Sequence, residues 1–161
     1  MDAVHNLAVL YYNGQGMERN MIHAARLFQQ LAEREDASAQ NTLGSMYLKG
    51  RGVKFNPSKA AELFLAAARQ GNAIAQFNIG NVYRRGDGVD QSDRKAVLWY
   101  QKAVKQNYGP AQNALAYMHV GGRGVEKDKK RAMELFNAAL EGGLPVAGQN
   151  LGILKKNGSS Y

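Results

Sequence analysis

The chain has 161 residues and is basic: 21 lysines and arginines stand against 13 aspartates and glutamates, a formal net charge of +8. That balance suits an acidic partner, whether nucleic acid, anionic lipid or acidic protein, although most charge excesses only solvate a surface. There is no cysteine, which excludes disulfides, thiolate zinc sites and thiol nucleophiles, and no run approaches the ~20 apolar residues of a membrane span.

Met1-Asp2 leads straight into a helical pattern without the basic n-region of a signal peptide. Twelve residues on, the chain meets a turn that it then repeats. Gly14-Gln15-Gly16-Met17 is followed by Gly50-Arg51-Gly52-Val53, Gly86-Asp87-Gly88-Val89 and Gly122-Arg123-Gly124-Val125, each 36 residues after the last. A fixed period of this size is the mark of a repeat array, in which each unit touches only its neighbours. The units read 3–38, 39–74, 75–110 and 111–146, with a partial fifth at 147–158 and a tail at 159–161. A chain that opens inside a repeat is expected to be a fragment of something longer.

Each unit begins with a helix, A. Its first, fifth and eighth positions are Ala3, Leu7, Leu10; Ala39, Leu43, Met46; Ala75, Ile79, Val82; Ala111, Leu115, Met118; and Ala147, Leu151, Leu154. The i, i+4, i+7 spacing makes one apolar stripe. The sixth position is always small: Ala8, Gly44, Gly80, Ala116, Gly152. A mid-helix glycine costs about 1 kcal/mol against alanine, so a second helix must press closely there. Paired glycines end helix A. They do not make a phosphate loop, which needs a preceding strand and a following Lys-Ser/Thr. Met17, Val53, Val89 and Val125 are expected to plug the space between the helices of each unit.

Asn20, Asn56, Ser92 and Asp128 then supply N-caps, with Pro57 at a first helical position. Helix B follows, its apolar set being Ala60, Leu63, Phe64, Ala67 and Ala68 in the second unit and its equivalents elsewhere. It should close at Gly71, Asn107 and Gly143, residue types that accept a left-handed conformation. Glu35 holds that place in the first unit, and a different exit turn is expected there. Asp36 and Asn72 are positioned to cap the next helix, and Pro145 to start the last.

The unit Ala39-Gln40, Leu43-Gly44, Tyr47, Gly50, Gly52-Val53, followed by Lys59-Ala60, Phe64 and Ala67-Ala68, resembles the Sel-one-like repeat, a relative of the tetratricopeptide repeat. Unit three is as close, with Lys95-Ala96, Trp99-Tyr100 and Lys102-Ala103. Departures are local: Val4 stands at the glutamine position, His119 at the tyrosine position, and Gly148 and Lys155 in the fifth unit. The resemblance implies an all-α fold: a right-handed α/α superhelix (solenoid) of four 36-residue helix-turn-helix repeats plus a C-terminal capping helix. It implies a protein–protein adaptor, in many cases bacterial, from envelope or cytoplasm. One branch of the family is linked to β-lactam binding, but its repeats carry paired cysteines, which this chain lacks.

By the same resemblance, the helix A stripe opposite the core lines a concave groove for a partner peptide or helix. Its candidate residues are His5, Tyr12, Asn41, Ser45, Leu48, Phe77, Asn81, Arg84, Asn113, Tyr117, Val120, Ile153 and Lys156. Aromatics mixed with amides are the composition of recognition surfaces; the alternative for Phe77 and Tyr117 is packing between units. Neither Phe77 nor Arg84 belongs to the core stripe, so their removal is expected to leave the thermal midpoint nearly unchanged. A basic patch is the second candidate: Arg85, Arg94, Lys95, Arg123, Lys127, Lys129, Lys130 and Arg131. It suits nucleic acid or another acidic partner, though stacking aromatics are not interleaved with it.

No catalytic constellation is visible. His5, His23 and His119 have no metal-ligand spacing, the serines lack an activating signature, and His119 reads as a packing group. No enzyme activity, cofactor or metal is expected. At the chain's ends, Lys155 and Lys156 should face solvent while Leu151 and Leu154 cover unit four. Leu7, Leu10 and Tyr11 have no preceding unit, so cover by further sequence, a partner or self-association is expected.

Overall fold

The computed structural model describes residues 3–16 and 18–156, and its regular structure among these is entirely helical. The helices are α1 (Ala3–Asn13), α2 (Met21–Glu33), α3 (Ala37–Lys49), α4 (Pro57–Arg69), α5 (Ala73–Arg85), α6 (Asp93–Val104), α7 (Gly109–Gly121), α8 (Lys129–Glu141) and α9 (Pro145–Lys156). Odd-numbered helices are the A helices and even-numbered ones the B helices. Met17 and the tail at 159–161 lie outside the described residues. The chain forms two compact units, Met1–Ala75 with Gly86–Asp90, and Gln76–Arg85 with Gln91–Tyr161.

Each hairpin is closed by the same few bonds. The side chains of Asn20, Asn56, Ser92 and Asp128 accept from the N–H of His23, Lys59, Lys95 and Arg131, three residues on in every case. These same capping residues donate their own N–H back to the ninth position of helix A, at Tyr11, Tyr47, Tyr83 and His119, over 2.8–3.1 Å. The capping residue thus starts one helix while tying it to the last turn of the other. Asp36 and Asn72 cap α3 and α5 through Ala39 N–H and Ala75 N–H. Tyr108 precedes α7 without a side-chain cap, and Pro110 opens that helix instead.

The B helices end alike in all four repeats. Asp36, Asn72, Tyr108 and Leu144 donate to Leu31, Ala67, Ala103 and Ala139 carbonyls, the six-to-one bond of a Schellman motif. The residue before each donor is left-handed: Glu35 at φ 62°, Gly71 at 91°, Asn107 at 58° and Gly143 at 87°. The different exit turn expected at Glu35 is therefore not formed. The carbonyls of the last helical turn need these bonds whatever residue supplies the turn, so Glu35 takes the strained conformation.

Packing explains the conserved spacing of small residues. A Cβ on Gly44 would stand 2.9 Å from the Phe64 ring, and one on Gly80 2.5 Å from the Tyr100 ring. The missing side chain lets the large B-helix aromatic lie directly on helix A. Phe28, Phe64, Tyr100 and Phe136 are each 0–1% exposed, and burying each is worth about 1.5–3 kcal/mol. The second turn glycine serves a different contact. A Cβ on Gly88 would run into Pro57 and Ser58 at the start of α4, and one on Gly124 into Asp93 and Arg94 at the start of α6. That glycine is where one repeat's turn seats on the previous repeat's B helix.

In the first compact unit the core gathers Ala24, Phe28, Leu31, Leu43 and Met46, with Val53 packed against it; in the second it gathers Tyr100, Leu115, Met118, Leu135, Phe136 and Leu151, with Val125 and Leu154 against it. Val89 is half-buried. Leu43, Ile79 and Leu115 are at most 2% exposed, but Leu7 is 38% exposed, since no helix covers α1 on that side among the described residues. Lys155 and Lys156 are exposed on α9.

Candidate functional site

Five of the expected groove residues meet in one place. Phe77, Asn81 and Arg84 from α5 and Asn113 and Tyr117 from α7 line a hollow of about 560 Å³, all within the second compact unit. Its remaining wall is Pro110, Ala114, Met118 and Arg123, with Leu144 and Val146 from the entry to α9. A smaller hollow of about 170 Å³ adjoins it across Tyr117 and is lined by Val120, Phe136, Asn150, Ile153 and Leu154. Where the two meet, Asn150 Nδ2 donates to Asn113 Oδ1 at 2.8 Å, tying α9 to α7. The i, i+4, i+7 register of the A helices puts these side chains in line.

The rims are organised by one buried tyrosine. Tyr100 occupies the place that phenylalanine holds in the other repeats, and its hydroxyl donates to Asn81 Oδ1 at 2.8 Å. Arg84 donates in turn to that hydroxyl. Burial pushes the Tyr100 pKa up from 10.0, with the Arg84 hydrogen bond opposing the rise. Arg84 has no carboxylate partner among the described residues. Arg123, on the opposite wall, is held by a two-pronged pair to Asp93, Nε to Oδ2 and Nη2 to Oδ1, both 3.0 Å.

Phe77 departs from the expectation that it stands clear of the core. It is half-buried, and its ring lies 5.9 Å from that of Tyr100 and 5.6 Å from that of Tyr108. It is therefore both wall and packing, and its removal carries a stability cost. Tyr117 packs edge-on against Phe136 at 5.3 Å yet remains 51% exposed, and Ile153 is 59% exposed. Lys156 lies exposed at the end of α9.

The other candidates fall in the first compact unit. His5 and Tyr12 both stand edge-on to Phe28, at 6.1 and 6.2 Å. Ser45 Oγ returns a hydrogen bond to the Asn41 carbonyl, and Leu48 is half-buried. None of these five lines a hollow described above.

The basic candidates are exposed throughout. The Gly124 turn seats against Asp93 and Arg94, which brings Arg123 to the start of α6 beside Arg94 and Lys95. Lys127, Lys129, Lys130 and Arg131 crowd the entry to α8, and Arg85 ends α5. Several are engaged locally: Arg131 pairs with Glu134 at 2.9 Å, and Lys95 lies 5.2 Å over the Tyr83 ring. His119 is half-buried with Nδ1 3.1 Å from the Glu126 carbonyl, a satisfied turn contact.

The sequence pattern missed two things. Leu144 and Val146 help wall the larger hollow from an inter-helix turn, where periodicity assigns no face. The glutamines at the second position of helix A, Gln40, Gln76 and Gln112, are the buried polar side chains among the described residues. Gln40 Oε1 accepts from Gln70 Nε2 at 2.8 Å, and Gln76 Oε1 from Gln106 Nε2 at 2.9 Å. Their 36-residue spacing carried the signal.

Helical hairpins repeated at constant spacing, seated turn on helix, define an all-α repeat solenoid. The Sel1 repeat model matches residues 2–36, 37–72, 73–108 and 109–144, and the chain belongs to that family. Sel1-repeat proteins are typically protein-interaction scaffolds and generally non-enzymatic. Among solved structures, the chain is similar to a protective antigen of uropathogenic Escherichia coli with an SLR fold. The two are 32% identical at a TM-score of 0.88, over 98% of this chain and 34% of that one. It is also similar to a Sel1 repeat protein from Oxalobacter formigenes, 29% identical at a TM-score of 0.90, over 98% of this chain and 62% of that one. Cysteine rich protein B of Helicobacter pylori shares the fold at 22% identity and a TM-score of 0.65, over 86% of this chain and 99% of that one. The chain thus spans about a third of the length of the first structure and under two thirds of the second. No curated protein matches it in sequence. No helix among the described residues is long and apolar enough to cross a membrane.

Proposed function

We propose that the chain is an adaptor that holds a peptide or helix of a partner protein along the A-helix face of α5, α7 and α9. The observation that carries this is the 560 Å³ hollow with its neighbour, sharing the half-exposed ring of Tyr117. The volume falls in the range of about 300–1,000 Å³ typical of ligand sites. An aromatic anchor, apolar walls and convergent amides are what concentrate binding energy in a few residues. The basic residues act here as a rim; three of them are already engaged with Asp93, Glu134 and Tyr83.

Peptides selected from a random displayed library against the full chain test this reading. They should perturb NMR signals of α5, α7 and α9, and Tyr117→Ala should weaken them by over ~1 kcal/mol. Selected peptides that map elsewhere and ignore Tyr117→Ala would refute it. Tight duplex DNA binding that collapses with added salt would refute it in favour of the basic patch.

A further inference from the structure

The two hollows differ in chemistry, and the difference has a direction. At the α5 end, Arg84 lines the larger hollow beside the Tyr100 hydroxyl, and no carboxylate is paired with it among the described residues. A guanidinium has five N–H donors, so one phenolic oxygen leaves most of them to be used. Arg123 faces the same hollow from the far wall, and no aspartate or glutamate is among the residues lining either hollow. At the α9 end the smaller hollow is walled almost wholly by apolar side chains, with Ile153 59% exposed at its edge.

We propose that this groove selects an acidic peptide segment carrying a bulky apolar side chain. A peptide carboxylate meets Arg84 near α5, and the apolar side chain seats past Tyr117 against Ile153 on α9. The inference rests on the groove reading above and adds the partner's chemistry and polarity to it. A carboxylate can take two parallel N–H bonds from a planar guanidinium, which adds geometric selection to charge. A basic peptide would instead bring a cation up to Arg84, while the nearby carboxylate of Asp93 is already taken by Arg123. The net charge of +8 favours the same sign of partner during encounter.

The probe is a random twelve-residue displayed library selected on the full chain, followed by synthetic copies of the enriched peptides. Aspartate or glutamate should be enriched together with an aromatic or aliphatic residue at a constant separation and order. Arg84→Glu should weaken the best peptide at least about tenfold and abolish the acidic enrichment in a fresh selection. Ile153→Ser should weaken it about fivefold and relax the apolar choice while keeping the acidic one. Because Arg84 also contacts Tyr100, Arg84→Gln serves as a second variant, and circular dichroism checks the fold of both. Peptides that depend on Tyr117 but show no acidic enrichment, or bind Arg84→Glu unchanged, overturn the inference and leave the groove standing. Peptides indifferent to Tyr117→Ala, or a library that yields none, overturn both.

Discussion

Gln112 is 5% exposed, and its Oε1 has no hydrogen-bond partner. The repeat explains why. Gln70 and Gln106 serve Gln40 and Gln76 from thirty residues further along, and the corresponding residue for Gln112 is Gly142. The amide that should answer Gln112 is absent. Gly142→Gln should restore it, because the backbone there is already suitable: φ −72° and ψ 5°, against φ −78° and ψ 0° at Gln70. A Cβ on Gly142 meets only the Ala138 and Ala139 carbonyl oxygens, at 3.3 and 3.5 Å, an approach that Gln70 makes with the same torsions. The new bond is worth about 0.5–1.5 kcal/mol net, and replacing glycine adds about 0.4–1 kcal/mol by stiffening the unfolded chain. Ordering the glutamine side chain takes back up to ~1.5 kcal/mol. The balance is a gain near 1 kcal/mol, or about 2–4 °C in thermal midpoint for a chain of this length. Gly142→Ala supplies the backbone part alone, and a double-mutant cycle with Gln112→Met isolates the bond. If denaturant titration gives Gly142→Gln and Gly142→Ala the same stability, the amide pairing is not an energetic feature of the repeat and the reasoning fails.

Gly124→Ala should lose well over 2 kcal/mol, since its Cβ meets the Asp93 and Arg94 backbone at φ 67°; Gly143→Ala, at φ 87° in open space, should lose only the ~1–2 kcal/mol left-handed penalty. Comparable losses in chemical denaturation would mean that the turn is not seated on α6. Glu35→Gly should stabilise the chain by about 0.5–1 kcal/mol by relieving a left-handed glutamate, read as a rise in midpoint; a fall would contradict the exit-turn account. The raised Tyr100 pKa gives a stability contribution complete below the unfolded value of about 10 and lost as pH rises through the higher folded value. Tyr100→Phe should therefore flatten part of the decline in stability as the pH rises through and above about 10, Tyr108 keeping some of the slope through its own burial; an unchanged slope would show that Tyr100 ionises as freely folded as unfolded.

Most of the architecture could be read from residue spacing, because a repeat states each structural requirement several times. One Asn before an apolar run is weak evidence for a cap; Asn20, Asn56, Ser92 and Asp128 at a common spacing are strong evidence, and all four accept the expected N–H. The same logic found the close approach at Gly44 and Gly80. It misleads at Glu35, where residue preference points to a different turn and backbone hydrogen bonding decides the outcome. It was incomplete at Phe77, whose face could be read but whose neighbours Tyr100 and Tyr108 come from other helices. The hollows were not legible at all, since a concavity depends on how far side chains from three helices and a turn leave space unfilled.

The same physics separates what is repeated from what is not. At the fifth and eighth positions the helix A side chains belong to the core, so the chemistry recurs: Leu43 and Met46, Ile79 and Val82, Leu115 and Met118, all buried. At the third, seventh and tenth positions the residue changes from repeat to repeat, and the chain reads Asn41, Ser45, Leu48, then Phe77, Asn81, Arg84, then Asn113, Tyr117, Val120. A face that only needed solvating would be met equally well by lysine and glutamate in every repeat. Instead one tyrosine hydroxyl, at a position where the other repeats carry phenylalanine, bonds Asn81 and lies beside Arg84. Tyr100 is thus a departure from the period inside the core that organises a departure on the surface, and the hollow of about 560 Å³ opens beside it. In a protein built by repetition, the positions that agree carry stability, and the positions that differ are the ones left free to carry selectivity between partners.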